Sequence, residues 1–288
     1  MNINRRFPGK RVLITGAGCG LGRALCLEFA ARGWQIAVTD VDQNRIRETA
    51  ALVEQSGGRA LVMRLDVTRP DDFVRALKTV KEQWGGIDVL VNNAGVAAAG
   101  LMERIPLDRW DWIVGINLKG IIHGCRAFIP LFKEQRGGHI VNVASSAGIA
   151  SLAEMSSYNV SKAGAISLSE TLKIELAGHN IGVSAVCPTF FRTNLMDQFS
   201  SPDERQRLLA ERMFQKSRTS AEKIARLIIR SVGRNRFYVV TPIDGRVVWF
   251  FKRHFPEAYM KAMAWSYRTG MFDRYTGLKG DAKGGAIQ

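Results

Sequence analysis

The chain alternates between short apolar runs and longer amphipathic stretches. Apolar runs bounded by turn residues predict buried strands at residues 12–15, 35–39, 60–67, 89–92, 139–144, 182–187 and 237–241. Apolar positions at helical spacing predict helices between them, at residues 23–32, 43–55, 71–84, 108–135, 157–177 and 221–232. This alternation predicts an α/β fold with a single doubly wound parallel sheet of about seven strands and helices on both faces.

Two segments interrupt the alternation within a main domain that we predict to span residues 1–245. Residues 190–219 form a long connection with short amphipathic pieces at residues 194–199 and 203–214, and connections of this length often serve function. We interpret this connection as a lid over a binding site. Residues 246–276 form an aromatic and basic C-terminal extension, and the glycine-rich residues 277–288 are expected to be a disordered tail.

Composition excludes several classes of protein. No run approaches the roughly 18 apolar residues that a membrane span requires, and no small-residue cleavage site follows the first apolar run. We therefore expect a soluble, cytoplasmic protein. The four cysteines and four histidines have neither metal-ligand nor C-x-x-C spacing, so no metal site is expected.

The positive charge of the chain is unevenly distributed. Of the net +15, most comes from residues 201–288, which carry 18 Lys/Arg against 8 Asp/Glu. Such a surface suits an acidic partner, or is a solvated basic face. Nucleic acid is not expected, because no helix-turn-helix or stacking motif accompanies the charge. Aromatic and basic residues are adjacent in residues 246–276, which indicates either a peripheral membrane contact or an aromatic subunit interface.

A glycine-rich turn, TGAGCGLG at residues 15–22, joins the first predicted strand to the first helix. Glycine lets a pyrophosphate approach the backbone, and the N-terminal end of the helix stabilises its negative charge. At the first turn of an α/β chain this pattern strongly indicates a dinucleotide site. We expect Gly16, Gly20, Leu21 and Gly22 to contact the cofactor, and Cys19 to fill space.

Two acidic residues follow the second and third predicted strands. Asp40 is placed to accept hydrogen bonds from the adenosine ribose hydroxyls, and its charge would repel a 2′-phosphate. The sequence therefore predicts NAD(H) in preference to NADP(H). Asp66 is expected either to bind the adenine amino group or to cap the following helix.

Tyr158 and Lys162 are four residues apart near the start of a predicted helix, so both side chains lie on one face. A lysine ammonium group near a phenol favours the phenolate and lowers its pKa, as a general acid/base requires. Ser145 lies thirteen residues upstream, after the fifth strand, at the sheet edge where ligands bind in such folds.

Across about residues 8–245 the sequence resembles the short-chain dehydrogenase/reductase family, in its standard-length branch, whose fold is of the Rossmann type. The matching features are the turn at residues 15–22, the sequence NNAG at residues 92–95, Asn117, Ser145, Tyr158 with Lys162, and Pro188 to Thr193. One departure is Thr189, where the family usually has glycine after Pro188. Because of this departure, the sequence does not predict the backbone conformation near the nicotinamide.

The resemblance implies a catalytic tetrad. In it Ser145 orients the substrate oxygen, Tyr158 exchanges its proton, Lys162 binds the nicotinamide ribose and activates Tyr158, and Asn117 holds a proton-relay water.

The resemblance also implies further cofactor contacts, and a weaker similarity extends past the catalytic positions. Asn93, Ala94 and Gly95 would border the adenosine ribose, and Pro188 with Thr193 would lie beside the nicotinamide. The C-terminal extension is weakly similar to hydroxysteroid- and retinol-type dehydrogenases. Family members commonly form homodimers or homotetramers, so we expect residues 108–135 and 157–177 to form a subunit interface.

The substrate class remains open from the sequence. The lid is rich in apolar residues, namely Phe190, Phe191, Leu195, Met196, Phe199, Leu208, Leu209, Met213 and Phe214. They indicate a hydrophobic, lipid-like secondary alcohol or ketone, unless they simply pack the lid onto the body. The alternatives are a 3-oxoacyl-thioester reductase and a non-catalytic NAD-sensing protein.

Overall fold

A computed structural model describes residues 2–191, 194–217 and 219–271 of the chain. Its centre is a seven-stranded sheet in the order β3-β2-β1-β4-β5-β6-β7, and every neighbouring pair is parallel. The strands are β1 (Arg11–Thr15), β2 (Gln35–Asp40), β3 (Arg59–Arg64), β4 (Val89–Asn92), β5 (Gly138–Val143), β6 (Ile181–Pro188) and β7 (Tyr238–Thr241). The predicted doubly wound α/β sheet is thus confirmed, and its strand order reverses between β1 and β4, where ligands bind in such folds.

Twelve α-helices connect and flank these strands within the described ranges. They are α1 (Ile3–Arg6), α2 (Gly20–Ala30), α3 (Gln43–Gln55), α4 (Pro70–Trp84), α5 (Leu107–Val114), α6 (Gly120–Glu134), α7 (Ala147–Ala150), α8 (Ser156–Glu175), α9 (Glu204–Lys216), α10 (Ala221–Gly233), α11 (Ile243–His254) and α12 (Pro256–Arg268). Short 3₁₀ turns lie at Met102–Arg104, Ala177–His179 and Asn194–Gln198.

Helices bury apolar side chains on both faces of the sheet. On one face Phe29 of α2 and Ile228 of α10 pack against the strands. On the other face Phe73 of α4, Phe128 of α6 and Leu172 of α8 do the same. Fully burying one such side chain contributes about 1.5–3 kcal/mol, so the two layers hold the strand ends in a fixed arrangement.

The third strand ends earlier than predicted. β3 stops at Arg64, whose partner Asp40 is the last residue of β2, whereas the apolar pattern had extended the strand to residue 67. Leu65 and Val67 are buried in the core beyond the strand, which explains the misleading pattern. Asp66 therefore lies in a loop.

The helix predicted at residues 108–135 contains a π-helical turn. Residues Gly115–Lys119 separate α5 from α6, and Gly120 donates its N–H to the carbonyl oxygen of Gly115, five residues back. Such turns are uncommon and often lie at functional sites, and this one contains Asn117.

The lid and the C-terminal extension both contain helices. The lid has the 3₁₀ turn Asn194–Gln198 and α9, and Ser200 bridges to Ala98 on the body. The extension begins with α11, three residues before the predicted boundary, and continues with α12. Over the ranges that the structure describes, no helix combines the length and the apolar character needed to cross a membrane. Location in the cell remains a prediction.

Candidate active site

The glycine turn between β1 and α2 has backbone packed too closely for side chains. Gly16 has φ of +63°, and a Cβ there would lie 2.8 Å from the Cα of Ala94. A Cβ on Gly22 would lie 2.0 Å from the carbonyl oxygen of Gly16. The helix begins at Gly20, not at residue 23 as predicted, so Gly20, Leu21 and Gly22 form its first turn. Their N–H groups have no partner within the helix and suit a pyrophosphate.

Asp40 lies beside this turn at the end of β2. Its carboxylate accepts hydrogen bonds from the backbone N–H groups of Gly18 (3.1 Å) and Asp42 (3.2 Å). Asp40 is therefore held at the adenosine end of the glycine turn.

Arg45 of α3 reaches the same place and was missed in the sequence. Its guanidinium lies 3.6 Å from the sulfur of Cys19 and pairs with Asp42 (3.4 Å) and with Asp197 of the lid (3.2 Å). A cation here favours a 2′-phosphate, whereas Asp40 opposes it. The only sequence signal was its position five residues after Asp40.

Asn93 ties the end of β4 to the glycine turn. Its side-chain amide donates to the carbonyl oxygens of Thr15 (2.9 Å) and Gly16 (3.0 Å). The hydroxyl of Thr15 accepts hydrogen bonds from the N–H groups of Asn93 and Ala94. This segment thereby places the next residue, Gly95, above the sheet edge.

Asp66 has a local structural use. Its Oδ1 accepts hydrogen bonds from the N–H (2.9 Å) and hydroxyl (2.7 Å) of Thr68. A hydrogen bond joins the loop to the first turn of α4, where the Asp72 carboxylate accepts the backbone N–H of Asp66 at 3.0 Å. The Asp66 side chain does not make this bond. The adenine contact of Asp66 stays a prediction.

The π-helical turn directs Asn117 into the sheet edge, where it is fully buried. Its amide exchanges two hydrogen bonds, both 2.9 Å, with the backbone N–H and carbonyl of Val96. Asn117 also donates to the hydroxyl of Ser161 at 3.2 Å. A Cβ on Gly95 would lie 3.1 Å from Asn117 Oδ1 and 3.2 Å from Lys162 Nζ, so the backbone of Gly95 separates these two groups narrowly.

Ser145, Tyr158 and Lys162 lie together at the same edge, and all three are buried. Ser145 follows the end of β5 by two residues, while Tyr158 and Lys162 are on the first turns of α8. Lys162 Nζ donates to the carbonyl oxygen of Val143 at 3.0 Å and lies 5.8 Å from the centroid of the Tyr158 ring.

Burial and one hydrogen bond control the acidity of these groups. Burial raises the pKa of Tyr158, and a side-chain hydrogen bond with Ser145 acts against this rise. Burial lowers the pKa of Lys162 to about 8. Both shifts follow from the cost of a charge in a poorly solvated site. The sequence led us to expect that Lys162 lowers the pKa of the Tyr158 phenol. In this structure burial and the Ser145 hydrogen bond set that pKa instead.

The segment after β6 holds the remaining predicted cofactor residues. Pro188 is the last residue of β6, and its carbonyl oxygen accepts the N–H of Ser146 at 2.9 Å. Thr189 donates its N–H to the carbonyl oxygen of Thr241 at 2.8 Å, so the family departure is accommodated by pairing with β7. Thr193 lies outside the described residues.

An apolar cluster adjoins Tyr158. It consists of Val96, Ala97, Ala98, Ile113 and Ala147, with Trp112, Met155 and Phe199 partly buried against it. Phe199 belongs to the connection that we interpreted as a lid from the sequence, whereas Trp112 and Ile113 of α5 had no sequence signal. Tyr158 therefore lies against an apolar wall.

Other lid residues pack elsewhere. Phe191 is buried in the core beside α10, and Phe190 packs edge to face on Phe214 at 5.4 Å. Leu208 is 39% exposed. For these side chains the packing alternative holds, and the side chain of Leu195 lies outside the described set.

Glu154, just before α8, joins the lid and the C-terminal extension to the body. Its carboxylate accepts hydrogen bonds from Arg205 (2.6 Å), Gln206 (3.1 Å) and Tyr267 (2.9 Å). Its carbonyl oxygen accepts the N–H of Gly100, and its φ of +60° is unusual for a residue with a side chain. We call Glu154 with Arg205, Gln206 and Tyr267 the lid latch.

Comparison with known proteins now identifies the family. A family model described as short chain dehydrogenase matches residues 10–204. This chain belongs to the short-chain dehydrogenase family. The resemblance carried by its sequence motifs is thereby confirmed.

Individual short-chain dehydrogenases are similar over most of the chain. The 3-oxoacyl-[acyl-carrier-protein] reductase FabG of Thermotoga maritima is 34% identical over 84% of this chain and 99% of its own. EphD of Mycobacterium tuberculosis, named a probable oxidoreductase, is 33% identical over 88% of this chain, which spans only 44% of EphD. A solved short chain dehydrogenase/reductase from Burkholderia phymatum, in complex with NAD, has a TM-score of 0.82 at 30% identity, covering 86% of this chain and 94% of that one.

Proposed function

We propose that this short-chain dehydrogenase is an NAD(H)-dependent oxidoreductase that interconverts a secondary alcohol and a ketone. One observation carries the proposal: Tyr158 and Lys162 lie buried together at the sheet edge, where a Cβ on Gly95 would lie 3.1 Å from Asn117 Oδ1 and 3.2 Å from Lys162 Nζ, and the nearby Asn93 bonds to the glycine turn. Cofactor cradle and proton-transfer group thus share one sheet edge. A non-catalytic NAD-sensing protein would not require this combination, so we disfavour that alternative.

The residues divide the chemistry between them. Nicotinamide, when bound, supplies or accepts the hydride. The hydroxyl of Tyr158 gives a proton to the substrate oxygen in reduction and takes it back in oxidation, and Ser145 orients that oxygen. By resemblance to the family, Lys162 would hold the nicotinamide ribose, and Asn117 would position a water that links Lys162 to solvent.

The cofactor residues fit a nicotinamide dinucleotide. Glycine at positions 16 and 22 allows close packing against the backbone of Ala94 and Gly16, and this tight turn leads into the first turn of α2, whose N–H groups suit a pyrophosphate. Asp40 supports NAD(H), as does the NAD complex of the Burkholderia phymatum relative. The positive charge of Arg45 acts in the opposite direction, because it favours the 2′-phosphate of NADP(H).

The substrate we propose is hydrophobic, because the wall beside Tyr158 is formed by alanine, valine, isoleucine and aromatic side chains. Similarity to FabG favours a second candidate, a 3-oxoacyl thioester. We also propose a homodimer or homotetramer. Leu107 of α5 and Ile174 of α8 support it, since they are 80% and 77% exposed on the helices expected to form the interface.

The test is Tyr158→Phe, which removes the transferable proton and keeps the ring. We expect turnover to fall by about 10²–10⁴-fold across the pH range, since general acid/base groups contribute about that much. Nicotinamide fluorescence should show that NADH still binds. Tyr238→Phe is the matched control, because Tyr238 bonds to Glu170 away from the sheet edge, and it should retain turnover. Activity of the Tyr158 variant within a few-fold of the parent would overturn the mechanism.

The substrate class follows from the same assay. Secondary alcohols, ketones and 3-oxoacyl thioesters of increasing chain length are compared with NAD(H) and NADP(H). We expect kcat/KM to rise with apolar size. Preference for short polar carbonyls would contradict the proposed substrate class and leave the mechanism standing.

A further inference from the structure

Helices α11 and α12 present apolar side chains to the outside of the molecule. Six of them are about half exposed: Val247, Phe250, Phe251, Phe255, Met260 and Trp265, with exposed fractions between 49% and 58%. No residue of α12 is buried, and Gly245 is the buried residue of α11. We call these six side chains the apolar face. Phe251 lies 5.7 Å from Phe250 and 6.4 Å from Phe255, ring centroid to centroid, and exposed apolar patches of this kind often mark an interaction site.

The exposure does not arise from a detached segment. Lys252 donates to the carbonyl oxygen of Ile149 and to the hydroxyl of Ser151 (2.8 Å). Tyr259 donates to the carbonyl oxygen of Ala150 at 2.9 Å. The extension is thus tied to the body by Lys252, Tyr259 and Trp249, which packs on Tyr238 at 4.9 Å, while Phe250 and Phe251 remain about half exposed.

Cationic side chains lie on the same two helices as the apolar face. Arg246, Arg253, Lys261 and Arg268 are exposed there, whereas Asp244 and Glu257 are the acidic residues between positions 243 and 271. The guanidinium of Arg253 lies 5.9 Å from the ring centroid of Trp249. Rings among cations are the composition of helices that lie in a membrane interface.

We propose that the apolar face docks on a membrane leaflet that contains anionic lipid. Phe250, Phe251 and Trp265 would enter the boundary between headgroups and acyl chains, while the surrounding cations meet lipid phosphates. The helices have 12 and 13 residues, fewer than a span requires, so they lie along the surface and binding is reversible.

Charge also decides against a second copy of the chain as the occupant. A two-fold symmetric contact brings each patch against itself. Four exposed Lys and Arg side chains with two acidic ones would then face the same excess of positive charge, and like charges at close range repel. An anionic lipid surface has the complementary charge.

The test is co-sedimentation of the full chain with vesicles of phosphatidylglycerol and phosphatidylcholine, compared with vesicles of phosphatidylcholine alone, at low and high salt. We expect binding to the anionic vesicles at low salt and its loss at high salt, because exposed charges are screened. Phe250→Ala/Phe251→Ala should weaken binding more than about tenfold. Lys261→Gln/Arg268→Gln should weaken vesicle binding about 30-fold, because each cation near an anionic surface contributes about 1 kcal/mol.

Matched variants remove the same kinds of side chain elsewhere. Val74→Ala, at a 59% exposed position on α4, and Lys78→Gln on the same helix should bind vesicles like the parent. Circular dichroism and NADH binding establish that each variant is folded. Failure of the full chain to bind anionic vesicles, or binding that ignores salt and both double variants, overturns the docking proposal. A Phe250/Phe251 variant that changes the oligomer mass but not vesicle binding assigns the face to a second copy instead.

Discussion

Two residues of opposite charge lie beside the glycine turn that we propose binds the cofactor. Asp40 is fixed by the N–H groups of Gly18 and Asp42, and Arg45 approaches Cys19 from α3. A 2′-phosphate placed here meets repulsion from the first and attraction from the second. We therefore expect the preference between NAD(H) and NADP(H) to depend on the balance between repulsion by Asp40 and attraction by Arg45.

We predict that the two residues shift cofactor preference in opposite directions. Asp40→Ala should narrow the preference for NAD(H) by removing repulsion and the ribose hydrogen bonds. Arg45→Gln should widen it, chiefly by raising KM for NADP(H). The measurement is kcat/KM with each cofactor, and one charge-assisted hydrogen bond corresponds to about 10–100-fold. Variants that move the ratio in the same direction would show that these charges do not set it.

Among structural elements, the lid depends on the lid latch. Glu154 is mostly buried and receives hydrogen bonds from α9 and α12, two elements far apart in the chain. The next residue, Met155, belongs to the apolar wall beside Tyr158. We therefore expect the Glu154 carboxylate to couple the position of the proposed lid to the apolar wall beside Tyr158.

We predict that Glu154→Gln loosens the lid while the rest of the fold stays intact. The neutral amide keeps the size but loses charge-assisted hydrogen bonds, each contributing about 1.5–3 kcal/mol. KM for the substrate should rise about tenfold or more, kcat should change less, and hydrogen exchange in α9 should accelerate. Glu257→Gln, at an exposed acid on α12, is the control. Unchanged exchange in α9 would refute the latch, whatever the activity.

Sequence patterns located most elements but not their local departures. The strands and long helices were predictable because the spacing of apolar residues reflects which positions are buried against the two faces of the sheet. The end of β3 was missed because Leu65 and Val67 continue the apolar pattern while buried outside the strand. Phe190 and Phe191 could not be assigned between lid packing and substrate contact, since both uses require the same apolar character.

The candidate site was predictable in its positions and less so in its electrostatics. Tyr158, Lys162, Ser145 and Asn117 were identified by spacing and resemblance, and the structure brings them to one sheet edge. The Ser145 hydrogen bond opposes the rise in the pKa of Tyr158, and Arg45 reaches the glycine turn from α3. Both effects depend on contacts between residues that are well separated in the sequence. Such contacts have no local sequence signal.

On the scale of the whole molecule, the opposite edge of the sheet affects stability. His139 of β5 is fully buried, with Nε2 2.9 Å from the hydroxyl of Ser184 and its ring edge-on to Phe7. Burial, followed by the nearby charges of Arg6 and Lys173, places the pKa of His139 well below its ordinary value. The folded protein therefore keeps this histidine neutral where the unfolded chain becomes protonated.

We predict that the fold loses stability on acidification below about pH 6.5, the ordinary histidine pKa. There the unfolded state binds a proton that the folded state does not, so the free energy of unfolding falls by up to about 1.4 kcal/mol per pH unit. His139→Gln should lower stability at pH 7.5 but reduce the slope between pH 6.5 and 5.5. Urea unfolding at each pH gives both values. Equal slopes for parent and variant would assign the acid sensitivity to other groups.

The π-helical turn at Gly115–Lys119 has a consequence for how this chain tolerates insertions and deletions. A five-residue hydrogen-bonded turn contains one residue more than a regular helix needs. Deleting one residue there would restore a regular helix with little change in the relative orientation of α5 and α6, because the wider turn accommodates the extra residue. The residues within the turn would change register, however, and Asn117 would leave Val96. The number of residues between α5 and α6 is therefore set by the position of Asn117.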